Sequence, residues 1–222
     1  MLKPKIKNID IIIKLLKKEL EQFENPIVTE IGEKTKSPFM VLVSCLLSLR
    51  TMDKITCPVS KKLFESAKTP HEIVLMPLKK LQKIIRPVNY YITKSKRIKE
   101  ISKILIEQYD GKVPDDFDEL MTLKGVGKKT AAITMVYGHK NANYIPVDVH
   151  VHVVSNRLDW VKTKNAEQTM DELMKIVPKK YWYDLNDLFV AHGQNICLTN
   201  SPFCSKCAIR DYCPRIGVKR SR

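Results

Sequence analysis

With 222 residues and 44% hydrophobic content, the chain can bury the core of one large domain or two small ones, which excludes a disordered protein. No apolar run approaches the roughly 20 residues that cross a bilayer, and the first residues lack the apolar stretch of a secretory signal, so we expect an intracellular, cytoplasmic protein with no membrane partner. Lys and Arg outnumber Asp and Glu by 39 to 24, a net charge of +15, which favours a nucleic acid partner over a coat of lysines that only keeps the protein soluble.

Helical spacing of apolar residues dominates the first two thirds of the chain. Asn8 is a candidate N-cap for a first helix, whose apolar residues recur at steps of three and four: Ile9, Ile12, Ile13, Leu16, Leu20 and Phe23. Ser37-Pro38 and Thr69-Pro70 each place proline directly after a capping residue and predict the starts of two more helices, the first of them over 37–49. Further helices are predicted at 91–109, which Gly111 ends, and at 114–121, 128–137, 168–177 and 181–190.

The segment from 147 to 153 has a different period. Valines alternate there with Asp148, His150 and His152, and this period of two predicts a half-buried strand. A single strand in a helical chain would leave its backbone hydrogen-bonding groups unpaired, which argues against that interpretation.

A glycine pair between two predicted helices predicts a site for a DNA phosphate. In LKGVGKKT (123–130), Gly125 and Gly127 flank Val126 and precede Lys128, a pattern typical of a tight turn that exposes backbone N–H groups at the start of a helix. With the flanking lysines, this indicates a helix-hairpin-helix that holds a DNA backbone without reading bases. The alternative is an ordinary turn between two helices.

Two residues near this hairpin have side chains suited to chemistry on a sugar. A lysine amine near a helix N-terminus, such as Lys129, can act as a nucleophile and form a Schiff base if its pKa is lowered. A carboxylate such as Asp148 could take a proton or stabilise positive charge on a sugar ring. From the residues alone, Lys129 could equally bind a phosphate, and Asp148 could cap a helix.

Four of the six cysteines form one cluster near the C-terminal end of the sequence. Their spacing, Cys197-x6-Cys204-x2-Cys207-x5-Cys213, puts four thiolate ligands on one short loop, which predicts a metal centre. Only one close cysteine pair occurs, whereas zinc sites usually have two, so the spacing favours an iron-sulfur cluster and leaves zinc as the alternative. Cys45, in an apolar run, is predicted to be a small buried hydrophobe.

Four short motifs accompany this cysteine spacing: LKGVGKKTA (123–131), PVDVHV (146–151), NRL (156–158) and HG (192–193). In this order they resemble the endonuclease III branch of the helix-hairpin-helix DNA glycosylases, over nearly the whole chain from Ser37 to Pro214. The resemblance implies an all-α fold of two helical domains with a DNA cleft between them. One is a six-helix domain at 31–141 that contains the helix-hairpin-helix (about 117–139). The other, from 1–30 and 142–222, carries a [4Fe-4S] cluster in the loop 197–213. It also makes 149–160 a helix, against the period of two.

The same resemblance implies an enzyme. It assigns the catalytic lysine to Lys129 and the catalytic aspartate to Asp148, in a base-excision-repair glycosylase with AP lyase activity. The implied partner is duplex DNA that contains either a damaged base, in particular an oxidised pyrimidine, or an abasic site. We expect the protein to be a monomer. The cluster is expected to order a basic loop, with Lys206 and Arg210, that grips DNA.

The sequence also departs from the family pattern. Arg50 stands where the family often has a glutamine that fills the gap left by the flipped base, and arginine is a good guanine reader. Val153 and Gln194 replace basic residues of the pattern, which leaves the surroundings of the cluster open. Tyr90 aligns with the side chain that wedges into the base stack, and its alternative is a buried aromatic residue.

Other functions remain open from the sequence. Within the same fold, a mismatch thymine or uracil glycosylase and an adenine glycosylase are alternatives, although their patterns usually lack a lysine at the position of Lys129. Outside this class, the chain could be a non-catalytic iron-sulfur DNA-binding or redox-sensing protein, or a zinc-stabilised DNA-binding module. His150 and His192 are expected to make hydrogen bonds within the fold instead of binding the metal.

Overall fold

The computed structural model of the chain describes residues 6–21, 31, 35 and 37–222. Every regular element in these residues is a helix, which confirms the all-α prediction. None of the described helices combines the length and the apolar character needed to span a bilayer. Phe23 of the predicted first helix, and the domain boundary predicted after residue 30, lie outside the described residues.

The described residues divide into two compact units. Residues 31, 35 and 37–141 form the first, here called the hairpin unit, and residues 6–21 and 142–222 form the second, here called the cysteine unit. The α-helices are, in chain order, α1 (Ile9–Leu20), α2 (Pro38–Ser48), α3 (Asp53–Ser66), α4 (Pro70–Leu75), α5 (Leu78–Ile85), α6 (Tyr91–Tyr109), α7 (Phe117–Thr122), α8 (Lys128–Ile133), α9 (Val149–Arg157), α10 (Ala166–Ile176) and α11 (Trp182–Asn195). A π-helical turn (Thr134–Gly138) follows α8, and short 3-10 turns lie at Lys179–Tyr181, Cys204–Lys206 and Arg210–Tyr212.

In the hairpin unit, α2 is the central helix. All residues from 39 to 47 are buried, and α2 contacts α3, α6, α8 and the π-helical turn. The approach of the π-helical turn to α2 depends on Gly138, where an added Cβ would lie 2.9 Å from the Cα of Pro38. This glycine therefore lets the turn after α8 pack directly on α2. Helix α8, which contains Lys129, is thereby held against the central helix.

In the cysteine unit, α11 is the central helix and packs against both α1 and α9. The buried face of α1 consists of Ile9, Ile12, Ile13 and Leu16, as the spacing predicts. Asn8 is the N-cap residue of this helix, as predicted, but its backbone is left-handed (φ 59°) and its side chain makes no capping hydrogen bond.

The other predicted helix ends have clear local causes. Ser37 Oγ accepts from the backbone N–H of Met40 at 3.3 Å, and Thr69 forms a reciprocal capping box with Glu72. At the end of α6, Gly111 adopts φ 73° and donates its N–H to the carbonyl of Leu105 at 2.8 Å, as predicted. The helix predicted at 128–137 is interrupted, because α8 passes at residue 134 into the π-helical turn.

The alternating segment after Asp148 is a helix, α9, so the strand indicated by its period is wrong; the helix implied by the resemblance at 149–160 is present but ends at Arg157. Val151 and Val154, three residues apart, are buried, whereas Val149 is 55% exposed. This is the spacing of one helix face. The Asp148 side chain caps the first turn, and α9 packs on α10 and α11, so its backbone groups are satisfied within the helix.

Candidate active site and metal centre

The glycine pair of the hairpin unit forms a tight turn between α7 and α8. Val126 donates its N–H to the carbonyl of Leu123 at 2.9 Å, and Gly125 has φ 86°. An added Cβ on Gly125 would lie only 2.3 Å from Nη1 of Arg97, whereas one on Gly127 would meet nothing within 4 Å. Gly125 is thus required by both backbone and packing, and Gly127 by neither in this structure.

Lys129 is the second residue of α8 and follows this turn directly. It is half-buried, and its Nζ makes no hydrogen bond or ion pair with the described residues of the hairpin unit. Its charge acts on the thiol of Cys45 in α2, although burial dominates there and raises the pKa of Cys45 to about 12. Burial therefore keeps the Cys45 thiol neutral, and Lys129 is the charged side chain at this point of the fold.

Asp148 lies in the cysteine unit, at the N-terminus of α9. Its Oδ1 accepts from the backbone N–H groups of His150 and Val151 at 2.8 and 2.9 Å. The preceding segment is held on α11 by Asn186, whose side-chain N–H donates to the carbonyl of Pro146 at 2.9 Å. Oδ2 makes no hydrogen bond with the described residues of its unit, so one oxygen fixes the orientation of the carboxylate and the other has no bonding partner there.

Arg50 and Tyr90, predicted as DNA contacts from separate parts of the sequence, lie together in the hairpin unit. Both are exposed with left-handed backbones, φ 56° and 58°, and both line a pocket with Leu46, Leu49, Thr93, Lys94 and Arg97. Tyr90 is 62% exposed, so it is not the buried aromatic of the alternative interpretation. The pocket continues towards the hairpin, because Arg97 also contacts Gly125.

The four cysteines of the cluster motif line one cavity of the cysteine unit. None of them forms a disulfide, and each is half-buried. The loop is kept compact by backbone bonds, including Cys197 N–H to His192 O at 2.7 Å and Phe203 N–H to Ile196 O at 2.9 Å. Four free thiols around one cavity form a donor set that suits an iron-sulfur cluster and also a tetrahedral zinc ion.

Arg157 connects α9 to this loop. Its guanidinium donates to Cys197 Sγ at 3.2 Å and to the carbonyls of Cys197, Leu198 and Thr199 at 2.8 to 3.1 Å. Burial raises the pKa of the Cys197 thiol, but hydrogen bonds from His192 and Arg157 outweigh it, so that this pKa is lowered. The thiolate, which is the metal-binding form, is thereby favoured at Cys197.

A second connection runs from α1 to the same loop through Glu19 and His192. Glu19 accepts from His192 Nδ1 at 2.6 Å and from the backbone N–H of Ala208 at 2.8 Å, and both side chains are almost fully buried. The other ring nitrogen of His192 lies 3.8 Å from Cys207 Sγ. Ligand atoms of Glu19, His192 and Cys207 lie within 4.8 Å of one another, which makes this a possible Cys/His metal site.

Lys206 and Arg210 are exposed on the two 3-10 turns of the cysteine loop. Lys206 Nζ lies 5.9 Å from the ring centre of Phe203, and Arg210 lines the rim of the cysteine cavity. The structure thus brings them to one loop, and among the described residues neither forms an ion pair with a carboxylate.

Four residues of these sites received no role from the sequence: Glu19, Lys94, Arg97 and Arg157. Arg157 lies in the NRL motif, which could have pointed to it. Lys94 and Arg97 belong to a helix that is rich in basic residues. The sequence pattern of such a helix does not distinguish a buried basic side chain from one that is exposed to solvent.

Comparison with known proteins identifies relatives over most of the chain. Residues 43–179 match the HhH-GPD superfamily of base excision DNA repair proteins. Endonuclease III of Thermotoga maritima is 43% identical over 82% of this chain and 85% of its own, and endonuclease III of Bacillus subtilis is 36% identical over 84% of each. A solved non-covalent endonuclease III–DNA complex superposes with a TM-score of 0.83 at 31% identity, over 97% of both chains. Longer plant and animal relatives are spanned to about half or two thirds of their length, 48% and 63% in two cases.

Proposed function

The chain belongs to the endonuclease III family within the HhH-GPD superfamily of base excision DNA repair proteins, and we propose that it removes oxidised pyrimidines from duplex DNA and then cleaves the strand at the abasic site. The observation that carries this proposal is the place of Lys129, half-buried in the first turn of α8 directly behind the Gly125 turn. A mismatch or adenine glycosylase needs no amine there. A lyase does, because strand cleavage proceeds through a Schiff base.

The hairpin contributes binding. Gly125 and Gly127 are exposed on either side of the buried Val126 and are followed by the cation of Lys128, a turn that fits a DNA phosphate and carries no sequence information. Arg97 beside Gly125, together with Arg50 and Tyr90 on the adjoining pocket, extends this basic surface. Such contacts set the register of the protein on DNA, and their strength falls with salt as counterions are released.

The first chemical step acts on a nucleotide that has left the base stack, since C1′ cannot be attacked within the duplex. The neutral Lys129 amine attacks C1′ as the bond from C1′ to the base breaks; the base leaves with the electron pair and takes up the proton that the attacking nitrogen loses. Asp148, oriented through Oδ1 by the α9 backbone, uses its negative charge to stabilise the positive charge that develops on the sugar.

The second step uses the covalent intermediate. Opening of the sugar ring at the C1′–O4′ bond yields a Schiff base between C1′ and Lys129 Nζ. This cation acidifies the C2′ proton, so a base removes that proton and the C3′–O bond breaks. The strand is nicked on the 3′ side, the 3′-phosphate oxygen carries away the electron pair, and hydrolysis of the Schiff base regenerates Lys129.

We propose that Cys197, Cys204, Cys207 and Cys213 hold a [4Fe-4S] cluster. The four free thiols around one cavity support this ligand set, and so does the lowered pKa of Cys197. His192, held at Nδ1 by Glu19, has its Nε2 3.8 Å from Cys207 Sγ, where it can donate a hydrogen bond to a ligand thiolate. Bound there, the cluster would order the loop and so present Lys206 and Arg210 to DNA. A zinc ion on the same cysteines would serve that role equally, and metal analysis with visible absorption separates the two.

The test is a panel of duplexes that carry one oxidised pyrimidine, a G·T or G·U mismatch, a preformed abasic site or no lesion. Binding to each duplex is measured in parallel over a range of salt concentrations. We expect base release and nicking on the oxidised pyrimidine, nicking of abasic DNA, and neither with Lys129→Gln. Activity confined to the mismatches would replace the proposed substrate class. Salt-dependent binding without base release or nicking would indicate a non-catalytic DNA-binding protein. We also expect the active species to be a monomer inside the cell.

A further inference from the structure

Lys94, in the first turn of α6, is a buried cation without a described acidic partner. It is 8% exposed, and its Nζ donates to the carbonyls of Leu47 and Leu49 at 2.7 Å each and to Thr51 Oγ1 at 3.1 Å. Among the described residues, no carboxylate lies within ion-pair distance of it. Burial lowers the pKa of Lys94 to about 8, which shows that the protein keeps an amine here against the cost of desolvation.

All three acceptors belong to the end of α2 and the turn that follows it. This turn carries Arg50, whose left-handed backbone (φ 56°) is unfavourable for a residue with a Cβ and persists only where its surroundings hold it. The carbonyls on both sides of the turn would otherwise lack partners at a helix end. Lys94 therefore satisfies these carbonyls and fixes the turn at the same time.

A second set of bonds ties the same turn to the segment before Tyr90. Asn89 donates its side-chain N–H to the carbonyl of Arg50 at 2.5 Å and its backbone N–H to Thr51 Oγ1 at 3.2 Å. Thr51 Oγ1 thus accepts from both Lys94 and Asn89. Through this one hydroxyl, the position of Arg50 is coupled to that of Tyr90, whose backbone is also left-handed.

We propose that Lys94 is a positioning residue that fixes Arg50 beside Tyr90 and thereby sets which base opposite the lesion the enzyme prefers. This inference rests on the proposed function. Arginine reads guanine through two parallel hydrogen bonds to O6 and N7, which demand a fixed guanidinium plane. Without the Lys94 clamp the turn relaxes to right-handed backbone, the Arg50 side chain leaves the pocket that it shares with Tyr90, and the preference for guanine is lost.

Lys99 provides a matched control on the same helix. Its Nζ donates to the carbonyl of Val74 at 2.7 Å, and burial likewise lowers its pKa, yet Val74 belongs to α4 and not to the turn of Arg50. Replacing Lys99 by methionine removes a lysine-to-carbonyl bond of the same length from α6 without touching the Arg50 turn. A general loss of helix packing would affect both variants alike.

The experiment measures kcat/KM for nicking of an abasic site placed opposite each of the four bases, with wild type, Lys94→Met, Lys99→Met, Arg50→Ala and the double variant Lys94→Met/Arg50→Ala. We expect wild type to prefer guanine, Lys94→Met to reduce that preference by about tenfold, and Lys99→Met to retain it, given that a bidentate base contact is worth roughly a 10- to 100-fold discrimination. The double variant should discriminate between the four opposite bases as well as Arg50→Ala does, because both substitutions act on the same contact between Arg50 and guanine.

Thr51→Val is the second variant and keeps the test decisive if Lys94→Met does not fold. It leaves the lysine in place but removes the hydroxyl shared by Lys94 and Asn89, so the guanine preference should again fall. The inference is overturned if wild type nicks all four duplexes equally, if neither Lys94→Met nor Thr51→Val changes the preference, or if Lys99→Met lowers it equally. If wild type nicks no abasic duplex, the proposed function fails instead.

Discussion

Arg157 Nη1 donates to Cys197 Sγ at 3.2 Å, which links helix α9 directly to the first cysteine of the cluster motif. The same guanidinium also holds three consecutive carbonyls of the cysteine loop. One side chain therefore both shapes the loop and favours the thiolate form of a ligand. Its partner residues explain why an arginine, with several donors in a rigid plane, stands at this buried position.

We predict that Arg157→Met speeds the loss of the metal centre. Three carbonyls and a thiolate lose their donor, at a cost of up to roughly 4 kcal/mol if about 1 kcal/mol is lost for each of the four groups. The decay of the visible absorption of purified protein measures the rate. Arg157→Lys keeps the charge but not the several N–H donors of a guanidinium, so its absorption should decay at an intermediate rate. Arg220→Met, near the exposed C-terminal end, should decay at the wild-type rate. Equal decay of all four proteins would contradict this role.

Asp148 permits its two roles to be separated. Asparagine keeps a side-chain oxygen for the N–H groups of His150 and Val151 but removes the charge, whereas alanine removes both. Asp148→Asn should therefore unfold at nearly the wild-type temperature and lose most of the glycosylase rate. Asp148→Ala should lose the rate and also about 1 kcal/mol of stability. Full activity of Asp148→Asn in single-turnover assays would show that Asp148 only caps α9.

The two hairpin glycines should respond differently to the same change. Alanine at Gly125 meets the Arg97 guanidinium and must adopt φ 86°, so we expect Gly125→Ala to lower the free energy of unfolding by roughly 1–2 kcal/mol and to weaken DNA binding. Gly127 has negative φ and open space around it, so Gly127→Ala should be as stable as wild type or slightly more stable. Chemical denaturation tests both, and equal destabilisation would contradict the structural difference.

The capping box of α4 predicts a pH dependence. Hydrogen bonds to Glu72 from the backbone N–H of Lys68 and from the side-chain hydroxyl of Thr69 lower its pKa below the ordinary 4.5. Because the folded pKa is the lower one, the stabilisation is fully present above pH 4.5 and is lost as the pH falls through the folded pKa. The stability difference between wild type and Glu72→Gln should thus be present at neutral pH and shrink in acid. Glu65→Gln, at an exposed position of α3, should show no such trend, and a difference that grows in acid would refute the assignment.

Much of this fold follows from local patterns, and the failures have physical reasons. Proline after a cap predicts α2 and α4, and Gly111 predicts the end of α6, because these signals act within a few residues. The period of two after residue 147 is misleading, since α9 buries only one face, at Val151, Val154, Ser155 and Arg157, and Val149 can stay exposed. The π-helical turn depends on the close approach of Gly138 to Pro38, which no local pattern contains.

The sites divide in the same way. The cysteine spacing and the glycine turn are compact motifs, so the residues around one cavity and around one hairpin can be named from the sequence. Lys94, Arg97 and Glu19 cannot, because each acts on a residue at least 28 positions away, and a lysine-rich helix face does not reveal which cation turns inward.

Borohydride reduction of the enzyme–DNA intermediate is the most direct test of the central claim, that Lys129 attacks C1′ and forms a Schiff base. Wild type incubated with abasic or oxidised duplex should yield a covalent adduct, and mass mapping should place the reduced sugar on Lys129. Lys128→Gln, the neighbouring change in the same helix, should still be trapped at saturating DNA, whereas Lys129→Gln should not. An adduct on another residue, or nicking by wild type without any trapped adduct, would contradict the account.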